Sequence, residues 1–354
     1  MKARAVFRLA FAIAVPVAMV GAGTPGIASA AGPTLPQSAA ADAGALWLSS
    51  QFTSAGYIPV SPGSLQPNFG DTAEAVLAFE TTRSEAPLEA QAITYLSKHV
   101  NAYVRVGGHD APGQLSTLIL ADVGAGNNPR SFAGTNLVSR LEATMRTSGT
   151  QAGLFGVQPP TYDGAYRQGL ALVALAAAGV SGSTVAPAVA WLESQECSSG
   201  GWKAFRSDPA RNCPPVDPAT YSGPDTNSTA LAVEGLAAQG VATSDRTITW
   251  LANEQTAEGG WPYQKGDAFD ANSTAVVIQA LIAAGVSPTA ARFDKGSQDV
   301  VAALLSLQVS SGPGQGGIAF QPNGDGSLTA DLLATLQAVP ALEGLALLQE
   351  APRR

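Results

Sequence analysis

The chain has 354 residues, with 27 acidic and 19 basic side chains, a formal net charge of −8 and two cysteines. Such an acidic protein repels phosphate backbones, which excludes nucleic acids as general partners. The length suits one large domain or two ordinary ones with a sizeable core.

The first 30 residues predict a secretory signal peptide. Lys2, Arg4 and Arg8 give a basic start, an apolar stretch follows, and small residues form a cleavage site that ends at Ala30. An uncleaved membrane anchor is the alternative, and it is disfavoured because the apolar run is short and broken by a proline and several glycines. Cleavage would leave 324 residues with a net charge of −11. We therefore expect an exported protein, either free outside the cell or associated with the cell envelope.

Residues 31–41, AGPTLPQSAAA, predict a flexible mature N-terminus. Beyond them, two types of segment alternate along the chain. The first type is an apolar run that ends in glycine or a polar turn. Its six copies are DTAEAVLAF from Asp71, GQLSTLILADVGAG from Gly113, AYRQGLALVALAAAG from Ala165, DTNSTALAVEGLAAQG from Asp225, DANSTAVVIQALIAAG from Asp270 and SLTADLLATLQAV from Ser327.

The second type of segment is more polar and lies between these runs. Its six copies are ALWLSSQ, AITYLSK, LVSRLEA, AVAWLESQ, TITWLANEQ and VAALLSLQ. A period of about 50 residues predicts stacked supersecondary units, each of which cannot bury its own apolar face alone.

Helical spacing favours paired α-helices as the repeating unit. Val277, Ala280, Leu281 and Ala284 fall at i, i+3, i+4 and i+7, and the other faces of this run are also apolar, which is typical of a buried inner helix. The second segment type keeps one polar face and predicts outer helices. Sustained period-two alternation is missing, so a β-propeller is disfavoured. Twelve such helices form an open solenoid or a closed ring, and the apolar inner set favours the ring.

Two loops carry the most specific pattern. A glutamine precedes Gly-Gly-Trp in the segments 195–202 and 255–261, and an aspartate, Asp225 or Asp270, then opens each apolar run. The glycine pair permits a tight turn, and the aspartate is a natural helix N-cap. We expect each tryptophan to pack on the adjoining repeat.

This Gln–Gly-Gly-Trp pattern before an alanine-rich helix resembles the repeats of the α/α-toroid superfamily. That superfamily includes squalene and terpene cyclases, protein prenyltransferase β-subunits and the cobalamin-carrying domain of intrinsic factor and transcobalamin. The resemblance extends over roughly residues 42–345, and its motifs are close in two of the six copies. It implies an all-α fold, an α/α toroid of six inner/outer helix pairs, in one domain over residues 42–350.

The two cysteines, Cys197 and Cys213, predict a disulfide in an exported protein. The fourth repeat carries about 14 residues more than the fifth between its tryptophan and its aspartate, and Cys213 lies in that insert. The bond would hold the insert against the Gly-Gly-Trp loop and stabilise the fold by about 3 kcal/mol. A zinc site is disfavoured because two thiols without a nearby histidine supply half of its ligands.

The sequence lacks the catalytic motifs of the superfamily's enzymes. It has no Asp-x-Asp-Asp acid and no aspartate-rich cluster. Its histidines, His99 and His109, precede both cysteines, which is the wrong order for prenyltransferase zinc ligands. A triad of His109, Asp110 and Ser116 is conceivable but disfavoured, because a histidine in a glycine-rich loop is usually only solvated. We expect no catalytic residue, no metal and no cofactor.

The best site candidates lie where the inner helices begin, because their N-termini and dipoles converge on one mouth of the ring. The polar and aromatic residues that we expect to bind a ligand there are Tyr162, Tyr166, Asn227, Trp261, Tyr263 and Asn272. Helix capping and packing between repeats are the competing explanation, above all for the tryptophan. The two asparagines are less well explained by capping because each lies two positions after its aspartate.

Three functions remain open on the sequence alone. The first is a monomeric, non-catalytic protein that binds a small apolar or amphipathic ligand, isoprenoid-like or cobalamin-like, in the lumen or mouth. The second is a divergent terpenoid cyclase or prenyltransferase-type enzyme, with Asp163, Glu234 or Asp331 as its acid. The third is a cell-envelope scaffold whose ring is filled by its own side chains.

Overall fold

The computed structural model describes residues 35–295 and 299–350, and the signal peptide predicted over residues 1–30 lies outside them. The helices in chain order are α1 (Leu35–Ser49), α2 (Phe69–Thr82), α3 (Ala86–Lys98), α4 (Val100–Val104), α5 (Pro112–Gly124), α6 (Leu137–Ala143), α7 (Ala165–Ala177), α8 (Ala186–Ser194), α9 (Thr226–Ala238), α10 (Asp245–Glu254), α11 (Ala271–Ala283), α12 (Val300–Leu305), α13 (Leu332–Leu342) and α14 (Leu347–Glu350). Two short strands, Arg105–Val106 and His109–Asp110, pair antiparallel before α5.

Six of these helices form a closed inner ring. Helices α2, α5, α7, α9, α11 and α13 each pack against the next, and α13 packs against α2. Helices α1, α3, α6, α8, α10 and α12 lie outside this ring, and they coincide with the six segments that the sequence predicts as outer helices. The α/α toroid of six helix pairs is therefore confirmed.

The first outer helix joins the last repeat and completes the outer layer. The Gln308 side-chain amide donates a 2.8 Å hydrogen bond to the carbonyl of Ala40, and Ala41 is fully buried. Helix α1 accordingly begins at Leu35, so residues 35–41 are helical instead of belonging to a flexible segment over 31–41. The reason is that the alanines of this stretch pack against the ring.

Aspartates cap the inner helices α9 and α11 as the sequence predicts. The carboxylate of Asp225 accepts a hydrogen bond from the Ser228 backbone N–H at 2.6 Å, and that of Asp270 accepts one from the Ser273 N–H at 2.7 Å. Each bond satisfies a backbone donor that the first turn of a helix leaves free. The two repeated segments, which begin at Asp225 and Asp270, thus have the same local structure.

Glutamine and tryptophan in the fifth repeat tie three elements together. The Gln255 side chain donates to the carbonyls of Gly259 and Phe293, at 2.7 and 2.9 Å. The Trp261 indole N–H donates to the carbonyl of Leu251 at 2.7 Å, and its ring lies edge-on to Phe293 with centroids 5.8 Å apart. This Gln–Gly-Gly-Trp segment therefore fixes an outer helix, a turn and the following repeat relative to one another.

The predicted disulfide between Cys197 and Cys213 is present, with Cα atoms 5.6 Å apart. Cys197 is almost fully buried beside the Gly-Gly-Trp loop, so the bond holds the insert of the fourth repeat against that loop. The described residues contain no helix that is both long and apolar enough to cross a membrane.

Candidate ligand site in the ring

A cavity of about 470 Å³ opens at the N-terminal ends of α2, α5 and α7, and we call it the mouth cavity. Aromatic side chains form much of its wall, namely Phe69, Tyr103 and Tyr166. Its volume lies in the range of roughly 300–1,000 Å³ typical of small-molecule sites. The mouth predicted from the sequence is therefore a concave, aromatic surface on one side of the ring opening.

A second, smaller cavity of about 60 Å³ lies deeper in the ring, and we call it the inner cavity. All six inner helices and α14 line it, with six leucines among the lining residues. Helix α14 packs against α2, α7, α9 and α11, so it covers the end of the lumen opposite the mouth. The inner cavity has room for about two water molecules.

The two cavities meet at Tyr166, which lines both. Gln337, on the opposite side of the ring, lies close enough to the Tyr166 phenol to act on its pKa, and its side-chain oxygen accepts a 3.0 Å hydrogen bond from the Asn272 side-chain amide. We call these three residues the cross-lumen network. They span the lumen between α7, α11 and α13, where the mouth cavity adjoins the inner cavity.

Glu74 of α2 also lines both cavities. Burial raises the pKa of its carboxyl to about 8, and the nearby charge of Asp71 adds to this effect. The pKa of Asp71 is itself raised to about 6 by burial and by Asp331, against a hydrogen bond from Asn68 that lowers it. Two carboxyl groups, those of Glu74 and Asp71, therefore lie on this side of the mouth. The Glu74 carboxyl is protonated near neutral pH when nothing else is bound.

Glu234 of α9 lies on the other side of the ring from Glu74 and lines the inner cavity. Its side chain is 1% exposed, and neither carboxylate oxygen makes a hydrogen bond of ordinary geometry within the described residues. Burial raises its pKa to about 8, although the Leu347 backbone N–H lowers it in part. A buried carboxyl without a partner is costly unless it is protonated.

One basic side chain, Arg167, lines the mouth cavity. Its guanidinium lies 3.5 Å from the carboxylate of Asp163 and donates a hydrogen bond to the Thr161 carbonyl. The positive charge of Arg167 is thus paired at the rim. Among the described residues, Glu74 and Glu234 have no cationic partner.

The three carboxylates considered as acids of an enzyme have different surroundings. Asp163 accepts hydrogen bonds from the Val157 backbone N–H and the Thr161 hydroxyl and lines neither cavity. Asp331 caps α13. Only Glu234 reaches the lumen. The alternative triad is also not assembled, because buried Ser116 donates to the Pro112 carbonyl while Asp110 is paired with Arg140.

The six predicted ligand-binding residues are spread over different environments. Tyr166 lines both cavities and Asn272 reaches it through the cross-lumen network. Tyr162 is 70% exposed and lines neither cavity, and Asn227 lines neither. Tyr263 lies at the rim, hydrogen-bonded to Asp225. Trp261 is fully buried in packing between repeats, so it is left out of the site.

Sequence reasoning indicates Gln337 as a possible lumen-facing polar residue but does not find Glu74, Phe69 or Tyr103. A signal existed for Glu74 as well as for Gln337, because both are polar residues inside otherwise apolar inner helices. Tyr103 comes from α4, a short helix with no counterpart in the repeat pattern. Phe69 lies at the start of α2, before the run that was recognised.

Solved structures share this architecture at low sequence identity. A variant of a type II terpene cyclase from Scytonema, in complex with the substrate geranylgeranyl dihydroxybenzoate, aligns with a TM-score of 0.57 and 14% identity over 90% of this chain and 99% of the cyclase. Protein geranylgeranyltransferase-I of Candida albicans, complexed with GGPP, aligns at 0.53 and 11% identity over 77% and 83%. A protein from Actinoplanes aligns at 0.54 and 16% identity over 89% and 99%.

These similarities show the α/α-toroid fold of terpene cyclases and protein prenyltransferases and nothing finer. No protein-family model matches the sequence, and no curated protein matches it.

Proposed function

We propose that this toroid is a non-catalytic binding protein that holds one small amphipathic molecule, with an isoprenoid-like chain, in the mouth cavity. The observation that carries the proposal is the 470 Å³ cavity walled by Phe69, Tyr103 and Tyr166. Aromatic faces offer large apolar contact areas to a hydrocarbon chain. The geranylgeranyl compounds bound by the two toroids of known function support this ligand class.

The size of the mouth cavity favours an isoprenoid-like ligand over a cobalamin-like ligand. A cavity of 470 Å³ encloses a molecule of drug-like size, and a corrinoid is much larger. The ligand therefore lies in the mouth, with its deepest atoms at the cross-lumen network.

The filled lumen favours binding over cyclisation. A cyclase must enclose its whole substrate around an acid, and the inner cavity beside Glu234 holds about 60 Å³ beneath Leu347. The carboxylates of Asp163 and Asp331 are committed to a rim hydrogen-bond network and to a helix cap. The same filled lumen is what a scaffold without a ligand would have, so the mouth cavity distinguishes the two.

We further propose that the protein is exported and acts as a monomer. The disulfide between Cys197 and Cys213 supports an oxidising compartment. The protein is either free outside the cell or attached to the cell envelope, since both locations suit a disulfide-bonded protein.

Native mass spectrometry tests the proposed function. The protein is secreted from a bacterial host, and its native mass is compared with its mass after denaturation. A mass excess that disappears on denaturation, or the uptake of one equivalent of farnesol or geraniol, is the expected result. Identical masses with no uptake of any isoprenoid alcohol or amine would favour the scaffold.

A further inference from the structure

Two carboxyls line the lumen, and neither forms an ion pair with a basic side chain of the described residues. Glu74 and Glu234 lie on opposite inner helices and both line the inner cavity, and none of the described residues that line it is basic. The mouth cavity contributes Arg167, whose charge is paired with Asp163. Within residues 35–295 and 299–350, these two carboxyls thus face the cavities without a cationic partner.

The Glu234 carboxyl is a second, independent indication that the lumen accepts a further hydrogen-bond donor. Glu234 is 1% exposed and lines the inner cavity, and the Leu347 backbone N–H is the one group of the described residues that acts on its carboxyl as a donor, without ordinary hydrogen-bond geometry. Buried polar groups are almost always hydrogen-bonded, so an unpartnered one in a cavity wall points to a missing donor.

Glu74 is the carboxyl that an entering ligand meets first. It lines the mouth cavity together with Phe69, Tyr103 and Tyr166, so a cation at Glu74 has aromatic rings around it. Asp71 lies close enough to raise the pKa of Glu74 through its charge. The charge of Asp71, together with the carboxylate that Glu74 forms on ionisation, favours a cationic head group at this point.

We propose that the ligand is an amphipathic amine whose protonated amino group pairs with Glu74 while its apolar chain lies in the aromatic mouth cavity. This assignment rests on the proposed function and names the ligand's head group. A divalent metal ion fits less well, because the two lumen carboxyls stand on opposite helices of the ring and do not converge on one point.

Pairing with an amine changes the protonation of Glu74. In the empty site the carboxyl is neutral near pH 7 because burial raises its pKa to about 8. An ammonium group stabilises the carboxylate, so the Glu74 proton leaves for the solvent when the ion pair forms. Binding below pH 8 therefore releases protons, whereas an alcohol of the same chain releases none.

The test compares geranylamine with geraniol, which differ only in the head group, by isothermal titration calorimetry at pH 7. We expect geranylamine to bind about tenfold or more tightly than geraniol, as a charge-assisted hydrogen bond predicts. In Glu74→Gln that preference should fall to about threefold or less. The control Glu80→Gln, at the end of the same helix, should retain it.

A second measurement needs no variant. Titration of the wild-type protein with geranylamine in phosphate and in Tris gives the number of protons released, because the two buffers have different ionisation enthalpies. Release of protons with geranylamine and none with geraniol is expected. Equal affinities for the two ligands, or no proton release, would overturn the amine proposal while geraniol binding upheld the proposed function. Failure of both ligands to bind would overturn both.

Discussion

The side-chain amide of Asn272 donates a hydrogen bond of 3.0 Å to the side-chain oxygen of Gln337, and so joins α11 to α13 inside the ring. Gln337 continues this link to Tyr166 on the opposite helix. The cross-lumen network therefore sets the depth of the mouth cavity.

Removal of the Gln337 side chain should merge the two cavities. In Gln337→Ala we expect stability to fall by about 1–2 kcal/mol, because Asn272 loses its acceptor. A longer chain should then enter, so the affinity for farnesol should rise relative to geraniol, measured by calorimetry. Gln315→Ala, at an exposed loop position, is the control and should change neither quantity. An unchanged preference between the two alcohols would mean that the network does not limit the cavity.

Glu234 should make stability fall as the pH rises. Its folded-state pKa is about 8 against an ordinary 4.5, so between these values the folded protein holds a proton that the unfolded chain has lost. The contribution is fully present below about pH 4.5 and is lost toward pH 8, with a slope of at most about 1.4 kcal/mol per pH unit.

Glu234→Gln should remove that dependence, because the amide stays neutral. Urea unfolding at about pH 5 and 8 should show a smaller loss of stability in this variant than in the wild type. Glu193→Gln, at an exposed position, should behave as the wild type does. Parallel stability curves for all three proteins would contradict a raised pKa at Glu234.

Two glycines permit the closest approach of inner helices. A Cβ atom added to Gly235 of α9 would lie 2.6 Å from the Cα of Gly169 in α7. Neither backbone can move without opening the ring, so Gly235→Ala should destabilise the fold by about 3 kcal/mol or prevent folding. Gly324→Ala, where an added Cβ would have no neighbour within 4 Å, should cost less than about 0.5 kcal/mol in the same denaturation experiment.

The disulfide should contribute on the order of 3 kcal/mol. The double variant Cys197→Ser, Cys213→Ser should lose about that much stability while keeping the helical content seen by circular dichroism. Thiol labelling of the denatured, unreduced wild-type protein should find no free cysteine. A labelled thiol would show that the bond does not form in the secreted protein.

The connections between successive repeats could be predicted from the sequence because each connection has a local chemical cause. Asp225 and Asp270 cap helices, and Trp261 packs between repeats, so their residue types can be recognised without tertiary information. The site was harder, because an inner helix that is apolar on all faces does not indicate which face points into the lumen. Tyr166 was found because it begins a helix, whereas Glu74 was missed one turn further in.

The most direct test of a ligand in the mouth is to fill the cavity. Leu170 lines both cavities, and Leu170→Trp should occupy much of the mouth. Leu65→Trp places the same side chain at a position that is 89% exposed. Calorimetry with geranylamine should show one equivalent bound to the wild type and to Leu65→Trp, and an affinity reduced by about tenfold or more in Leu170→Trp. Equal affinity in all three folded proteins would contradict a ligand site in the mouth of the ring.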